Sequence, residues 1–318
     1  MKLAAGNILA FACLALAPCA AQAQQSGQIN MIVAFAPGGS ADSIARVIGN
    51  RLGEKTGRRV VVENRPGAGG NIAAKHVTGA APDGSTLLVT TAALPINETL
   101  YRNKTFSVTQ LRTIAIVATT PEVFAVNPAS PAHTLKEFAE LNQGKPISFG
   151  TAGVGTGSHI AGEYFFRVLT KGDAQHVPFR GGPEATMAVI GGHVPMVVSS
   201  LSGFAPQIAA GQLRGLAVAA PNRIDVIKDV PTFAEAGFPG FTSFSWVGFF
   251  APSAMGSAEA AKLNAEIDGI VREPAIRERL VAIGFDPMNA NLQEAEAYMQ
   301  NEVEHWRKLV TALGLSVE

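Results

Sequence analysis

The amino-acid sequence predicts an α/β protein with two lobes, each built on a mostly parallel sheet flanked by helices. Two observations support this fold class. Apolar, β-branched runs alternate with stretches of helical periodicity, which is typical of parallel strands joined by helices. A unit of strand, glycine-rich loop and helix also occurs twice in succession in each half of the chain.

The units can be placed along the sequence in order. In the first half, strand, loop and helix follow one another at 32–35, 37–42, 44–52, 59–63, 64–70 and 73–77. In the second half the same order occurs at 147–150, 151–158, 160–169, 176–179, 180–183 and 184–190. The similarity is one of pattern, and it predicts two lobes of related construction.

Two further segments could carry the chain between the lobes. The apolar run 123–126 would lead out of the first lobe, and the aromatic run 244–250 would lead back. The remaining apolar periodicity predicts helices at 258–271, 275–283 and 292–313. We therefore expect a discontinuous first lobe (24–125 plus 244–318), a second lobe (126–243) and a hinge between them.

The composition excludes several classes of protein. The 318 residues include 25 Lys and Arg, 25 Asp and Glu, 47% hydrophobic and 16% charged residues. A nucleic-acid surface or an acidic disordered tail needs a sustained field of one sign, which this neutral chain lacks. The hydrophobic fraction is sufficient for a packed core. We expect a folded protein without a nucleic-acid partner.

The first 23 residues are typical of a cleavable secretory signal peptide. Lys2 precedes an apolar run at 8–17, and Ala21-Gln22-Ala23 is a small-x-small cleavage site. The run is shorter than the roughly 20 apolar residues of a membrane-spanning helix. We expect cleavage near Ala23 and export of the mature chain.

Both cysteines, Cys13 and Cys19, fall in this leader. After cleavage the chain would contain no thiol, which excludes disulfides, thiolate catalysis and cysteine-bound metals. A lipoprotein anchored through Cys19 is the alternative, although Pro18 directly before it fits that processing poorly.

The glycine-rich loops indicate an anion site. Each precedes a helix, whose first amide groups lack intrahelical partners and carry the positive end of the helix dipole. The loops add neutral hydroxyls and few charges, a combination that suits reversible capture of a carboxylate better than bond breaking. The alternative is that the glycines only permit tight turns and close helix packing.

Enzyme motifs are incomplete. The segment 153–158 nearly matches a dinucleotide loop, but Ser158 stands where the third glycine belongs, and no phosphate-binding Gly-Lys-Ser/Thr sequence occurs. The six histidines include no zinc-binding pair. We expect no cofactor, no metal and no catalytic residues. An exported serine hydrolase that uses Ser40 or Ser158 is a remote alternative, because the nucleophile-elbow pattern at 38–42 lacks its last glycine.

Several stretches of the chain form longer motifs. They are IVAFAPGGSAD at 32–42, VVENRPGAGG at 61–70, APDG at 81–84, HVPFRG at 176–181, VPTFAEAG at 230–237 and LN at 263–264. Together they resemble the Bug, or tripartite tricarboxylate transporter, family of substrate-binding proteins. The resemblance covers essentially the whole mature chain.

This resemblance implies a type II-like periplasmic binding protein with a ligand cleft between its lobes. Such a protein closes around a small organic carboxylate and delivers it to an inner-membrane permease of one large and one small subunit. We expect a monomer that acts in this way in the periplasm. A binding protein that reports its ligand to a membrane signalling partner is the alternative.

The motif match also implies where the ligand binds. The first lobe would contribute the backbone at 37–42 and an edge at 90–97. The second lobe would contribute the loop 151–158, the turn 179–183 and the strand end near Ser199. The predicted ligand-binding residues are Pro37, Gly38, Gly39, Ser40, Ala41, Asp42, Thr91, Thr151, Gly155, Thr156, Ser158, His159, Phe179, Arg180, Gly181 and Ser199.

Some residues depart from the family pattern. Ala34 replaces the usual proline, and Ser199 stands where many members carry an aspartate. An aspartate at that position would bind a ligand ammonium. Its replacement by serine weakens the case for an amino-acid ligand and favours plain or aromatic carboxylates.

Overall fold

The computed structural model describes residues 27–318. The predicted signal peptide at 1–23 lies outside the described residues. Strands and helices alternate over the described part, and the predicted α/β fold is confirmed. Within residues 27–318, no helix combines the length and the apolar character needed to cross a membrane.

The described residues form the following strands and helices. The strands are β1 (Ile29–Val33), β2 (Val60–Asn64), β3 (Thr86–Thr91), β4 (Leu111–Val126), β5 (Ile147–Thr151), β6 (Ala174–Pro178), β7 (Met196–Ser200), β8 (Arg214–Val218), β9 (Phe244–Pro252) and β10 (Asp286–Pro287). The helices are α1 (Ser40–Thr56), α2 (Asn71–Thr78), α3 (Ala93–Leu100), α4 (Leu135–Leu141), α5 (Gly157–Tyr164), α6 (Gly182–Ile190), α7 (Ala205–Ala209), α8 (Ser257–Val271), α9 (Pro274–Ala282) and α10 (Leu292–Ala312).

The strands pair in the order β2-β1-β3-β9-β4-β7-β5-β6, and β8 and β10 also pair with β4. At one end β1 is parallel to β2 and β3, and at the other end β5 is parallel to β6 and β7. We call the part around β1–β3 lobe 1 and the part around β5–β8 lobe 2. The central strands β4 and β9 are antiparallel to their neighbours, so the outer strands follow the predicted parallel pattern and the whole sheet is mixed.

The strand β4 passes from one lobe to the other. Its first part pairs with β9 as far as Pro121, and Glu122 begins the pairing with β7. The outgoing strand predicted at 123–126 is the last part of β4, which begins at Leu111. Here Pro121 stands at the point where the strand changes partners.

Separate hydrophobic cores support the two lobes. The core of lobe 1 packs α1, α8 and α10 against β1, β3 and β9. In lobe 2, Phe124 and Val126 of β4 point into one core, while Val123 and Ala125 point into a second core on the other face. Alternate residues of a strand face opposite sides, so this lobe buries both faces of its sheet. The exact lobe boundaries at 125/126 and 243/244 remain a prediction.

Candidate ligand cleft

A cavity lies at the junction of the lobes, where three helices begin. In lobe 1, α1 starts at Ser40 after β1. In lobe 2, α5 starts at Gly157 after β5, and α6 starts at Gly182 after β6. The first amides of each helix have no intrahelical partner, and residues from all three starts line the cavity. This geometry favours an anion.

The cavity wall consists mainly of small and hydroxyl-bearing residues. It is lined by Phe35, Gly39, Ser40, Ala41, Thr91, Glu122, Ala152, Thr156, Gly157, Ser158, Gly181, Gly182, Ser199, Ser200, Gly203 and Ser245. Among these described residues there is no lysine or arginine, and only Glu122 is ionisable. An anion in this cavity would therefore be held by amides and hydroxyls.

Thr156 fixes the start of α5. Its Oγ1 accepts a hydrogen bond from the His159 amide at 3.2 Å and donates one to the Gly153 carbonyl at 2.7 Å. Ser158 Oγ lies 2.9 Å from Thr156 Oγ1. The cap moves the start of the helix to Gly157, ahead of the predicted 160–169, because a threonine side chain supplies a partner for the first turn.

The two lobes are in direct contact across the cavity. Ser40 Oγ lies 2.9 Å from Ser200 Oγ and 2.7 Å from Ser202 Oγ. The Ala36 amide donates a hydrogen bond to the Arg180 carbonyl at 3.1 Å. The cavity volume is about 30 Å³, two to three times the ~10–15 Å³ that a cavity needs to hold one water molecule. The lobes are thus closed on each other, and an organic acid needs them to separate before it can enter.

Glycines permit this close approach. Gly155, with φ of +77°, touches Asn97 of lobe 1, and a Cβ atom at this position would overlap the Asn97 side chain. Gly69 has a φ of +62°, and a Cβ atom at this position would overlap the Val154 carbonyl oxygen of lobe 2. Both backbone conformations favour glycine, and both contacts leave no room for a side chain.

Half of the predicted binding residues line the cavity. They are Gly39, Ser40, Ala41, Thr91, Thr156, Ser158, Gly181 and Ser199. The other half are not part of the lining, and they are Pro37, Gly38, Asp42, Thr151, Gly155, His159, Phe179 and Arg180. Ligand contact by any of these residues remains a prediction.

Asp42 braces the start of α1. Its carboxylate accepts hydrogen bonds from the Gly38 amide, from Arg46 and from Asn64, each at 2.9 Å. Burial opposes ionisation, but the hydrogen bonds from Arg46, Gly38 and Asn64 outweigh it and hold the pKa of Asp42 below its usual value. The side chain therefore orders the loop that carries Gly39 and Ser40.

Two stacked histidines, His159 buried and His176 half-buried, brace the loop before α5. The rings of His159 and His176 stack with centroids 4.1 Å apart. His159 Nδ1 accepts a hydrogen bond from the Gly155 amide at 3.2 Å, and His176 Nε2 lies 2.6 Å from Thr151 Oγ1. Burial lowers the pKa of His159 to about 4 and that of His176 to about 3. Both rings are neutral at pH 7, and they position Thr151 and Gly155 from behind.

Phe179 and Arg180 support the turn before α6. The Phe179 ring packs against Gly150, where a Cβ would lie 3.1 Å from the ring. Arg180 contributes its backbone: its carbonyl accepts from Ala36, and its amide donates to Glu184 at 3.1 Å. Across the cleft, Gly38 lies against the Pro183 ring.

The sequence-based prediction missed part of the lining. These residues are Phe35, Glu122, Ser200, Gly203 and Ser245, whereas Ala152, Gly157 and Gly182 lie within the predicted loop 151–158 and turn 179–183. Two signals were present in the sequence. Ser199, Ser200 and Ser202 form a hydroxyl cluster at the end of an apolar run, and Glu122 is an acidic residue within an otherwise apolar stretch.

Metal binding has no support from side-chain clustering. Among residues 27–318, no group of three His, Cys, Asp or Glu side chains converges closely enough to hold a metal ion.

Comparison with known proteins identifies the family. The model of the tripartite tricarboxylate transporter family receptor matches residues 44–315. This chain belongs to that family. A relative from Pseudomonas sp. strain P51, the UPF0065 protein in the tcbD-tcbE intergenic region, is 32% identical over 320 residues, covering 98% of this chain and 95% of the relative. BugT of Bordetella pertussis is 29% identical over 307 residues, covering 95% of this chain and 94% of BugT. The predicted Bug resemblance is confirmed.

Solved structures of the family share this fold. The periplasmic binding protein BugD superposes with a TM-score of 0.86 at 28% identity, covering 92% of this chain and 99% of BugD. An adipate-bound R. palustris protein gives 0.87 at 27% identity, with coverages of 91% and 98%. Malate-bound MatC from Rhodopseudomonas palustris gives 0.83 at 29% identity, with coverages of 89% and 98%. The receptor is thus a periplasmic solute-binding protein of the Bug type, with the predicted two-lobed fold.

Proposed function

We propose that this receptor captures a small organic carboxylate between its lobes by hinge closure and delivers it to an inner-membrane permease of one large and one small subunit. The proposal includes export by the leader, cleavage near Ala23 and action as a monomer without catalysis. The observation that carries it is the convergence of three helix starts and a set of neutral hydroxyls on one cavity at the junction of the lobes.

The cavity chemistry favours a carboxylate. Hydrogen bonds from neutral donors to a charged acceptor contribute about 1.5–3 kcal/mol each. Ser40 in lobe 1 and the first amides of α5 and α6 in lobe 2 offer such donors from both sides. A ligand that touches both lobes is bound fully only when they are shut, so binding shifts the equilibrium toward closure.

The contacts between the lobes suggest where the ligand enters. The hydroxyls of Ser40, Ser200 and Ser202 bond to one another in the closed arrangement. When the lobes separate, these groups lose their mutual partners, and the oxygens of a carboxylate can replace them. The adipate and malate bound by the two R. palustris proteins are acids of suitable size for this role.

The surroundings of the serines argue against hydrolysis. Ser40 Oγ bonds to two serines, and Ser158 Oγ bonds to Thr156. A serine nucleophile needs a base within hydrogen-bond reach. His159 is close to Ser158, but its Nδ1 already accepts a hydrogen bond from the Gly155 amide.

Binding is tested by a thermal-shift screen of residues 24–318, followed by calorimetry. The panel contains di- and tricarboxylates, aromatic carboxylates and amino acids. A specific acid at 100 times its Kd should stabilise the protein by about 2.7 kcal/mol. If no carboxylate raised the midpoint and calorimetry detected no heat, the proposal would fail.

Delivery is tested by uptake. Deletion of the gene should abolish cellular accumulation of the acid that binds, and a plasmid copy should restore it. Normal uptake in the deletion strain would contradict delivery while leaving the binding proposal intact.

A further inference from the structure

Glu122 occupies a particular place in the cleft. It follows Pro121, at the point where β4 leaves its pairing with β9 and begins to pair with β7 opposite Ser200. The adjacent strand β9 places Ser245 next to Glu122 on the cavity wall. Glu122 therefore lies on the floor of the cleft, between the two lobes.

The carboxyl group of Glu122 is buried and faces the cavity. The residue is 1% exposed. Its Oε1 lies beside Gly157 at the start of α5, where a Cβ would come within 3.0 Å of it. Its Oε2 is buried and has no hydrogen-bond partner among the described residues. A buried polar atom without a partner is uncommon in a native fold, and this one borders a cavity that favours anions.

Among residues 27–318, no cation compensates the charge of an ionised Glu122. On β4 the only other ionisable residue is Arg112, which donates to the Met255 carbonyl. The described residues of β7 and β9 carry no ionisable side chain. On the other packed elements the ionisable groups have partners elsewhere, are neutral or are exposed. On α1, Asp42 is bonded to Arg46, and Arg51, Glu54 and Lys55 at the far end of the helix pair with one another or with Glu273. On α5, His159 is neutral and Glu163 pairs with Arg167. Glu184 of α6 accepts the Arg180 amide, Arg214 of β8 donates to backbone carbonyls, and Asp286 of β10 is exposed.

Burial without a compensating cation favours the neutral acid. It raises the pKa of Glu122 to about 8, so the carboxyl group is protonated at pH 7. A protonated carboxyl is a hydrogen-bond donor as well as an acceptor. Its hydrogen bond to a carboxylate is charge-assisted and among the shorter and stronger kinds in proteins.

We propose that Glu122 binds the ligand as a neutral acid, donating its proton in a hydrogen bond to one oxygen of the ligand carboxylate. This inference rests on the proposed function and names a specificity determinant within the same cleft. It assigns the floor of the cleft to an anionic oxygen and excludes a ligand ammonium there. Two ionised carboxylates would repel each other, so above the pKa of Glu122 the complex forms only with uptake of one proton from solvent.

The test is the pH dependence of binding. Malonate, succinate, adipate and malate are titrated calorimetrically into residues 24–318 at pH 6.5, 8 and 9.5. For the acids that bind, affinity should fall as Glu122 ionises, approaching tenfold per pH unit well above its pKa, and by about 16-fold between pH 8, where half of the groups are ionised, and pH 9.5. Titration at pH 9.5 in two buffers of different ionisation enthalpy should show uptake of about one proton per acid bound.

The Glu122→Gln variant provides the matched comparison. Glutamine keeps the shape and one donor but does not titrate, so the variant should bind several-fold more weakly at pH 6.5 and with nearly constant affinity up to pH 9.5. The two profiles should cross. The proton uptake of the wild-type protein is measured without the variant. The proposal can therefore still be tested if Glu122→Gln fails to fold.

The outcomes separate the two proposals. Binding with constant affinity and no proton uptake would overturn the role of Glu122 and leave carboxylate capture standing. Affinity that weakens on acidification from pH 8 to 6.5 would show an ionised Glu122 and also overturn it. If neither these acids nor any other carboxylate of the screen bound at any pH, both proposals would fall.

Discussion

Ser40 Oγ, on the first residue of α1, lies 2.7 Å from Ser202 Oγ in the opposite lobe. The same oxygen lies 2.9 Å from Ser200 Oγ. Hydroxyls of the two lobes thus form hydrogen bonds with one another beside a cavity of about 30 Å³. This relationship describes how the receptor can close without a ligand and which polar groups a ligand would have to take over.

Ser40→Ala should weaken carboxylate binding. The change removes a donor to the charged ligand, worth about 1.5–3 kcal/mol, but it also removes neutral cross-lobe hydrogen bonds that stabilise closure without ligand. The net effect should be about a tenfold rise in Kd, measured by calorimetry. Ser43→Ala, one turn along the same helix and outside the cavity lining, is the control and should keep the parental Kd.

Thr156→Asp should abolish carboxylate binding while the protein stays folded. Aspartate is a good N-cap, so it can still accept the His159 amide and start α5. Its negative charge at the cavity wall repels a bound anion. Circular dichroism checks the fold and calorimetry checks the affinity, with Thr156→Ser as the control that keeps the hydroxyl. Unchanged affinity in the aspartate variant would remove Thr156 from the binding site.

Gly155→Ala should block closure. The new Cβ would overlap the Asn97 side chain only when the lobes are shut, and overpacking of this kind costs roughly 1–3 kcal/mol. Affinity should fall about 10- to 100-fold, and small-angle scattering should show a larger radius of gyration in the presence of ligand.

Gly144→Ala is the matched control for Gly155→Ala. Gly144 also has a positive φ, +69°, but a Cβ there meets nothing within 4 Å. Backbone strain is therefore similar in the two variants, and only the clash differs. Adding Asn97→Ala to Gly155→Ala should restore part of the affinity. Equal behaviour of the two glycine variants would show that closure does not need the Gly155 contact.

The stacked histidines should make the protein sensitive to acid. Their pKa values in the folded state, about 4 for His159 and about 3 for His176, lie below the unfolded value of about 6.5. The unfolded chain therefore binds more protons as the pH falls below 6.5, and stability decreases toward the folded pKa values. Between pH 7 and 5 the free energy of unfolding should drop by roughly 2 kcal/mol for each ring.

Urea unfolding at the two pH values measures this drop. His176→Gln should reduce the pH dependence, because glutamine can still bond to Thr151 and does not titrate. His133→Gln, at an exposed histidine of the same lobe, should leave the pH dependence as it is. Because protonation of Glu122 stabilises the folded state over the same pH range, the comparison between the variants is the decisive one. An unchanged pH dependence in His176→Gln would contradict the neutral state of the pair.

The sequence predicted those parts of the cleft that depend on local pattern. A strand, a glycine-rich loop and a helix in succession are enough to place Ser40 and Thr156 at helix starts, because each unit is continuous in the chain. The parallel pairing of the outer strands follows from the same units.

The floor of the cleft could not be predicted in this way. Glu122, Ser200 and Ser245 come from strands far apart in sequence, and only the pairing of β4 with β7 and β9 brings them together. The sequence also does not show that His159 Nδ1 accepts the Gly155 amide, and contact of His159 with a ligand remains a prediction.

The most direct test of carboxylate capture is a crystal structure of residues 24–318 with the tightest-binding acid of the screen. The ligand carboxylate should lie between the lobes, within hydrogen-bond distance of Ser40 on one side and of the start of α5 on the other, with Glu122 beneath it and without a lysine or arginine contact. An acid held by arginine or lysine, or bound outside the cleft, would contradict the account.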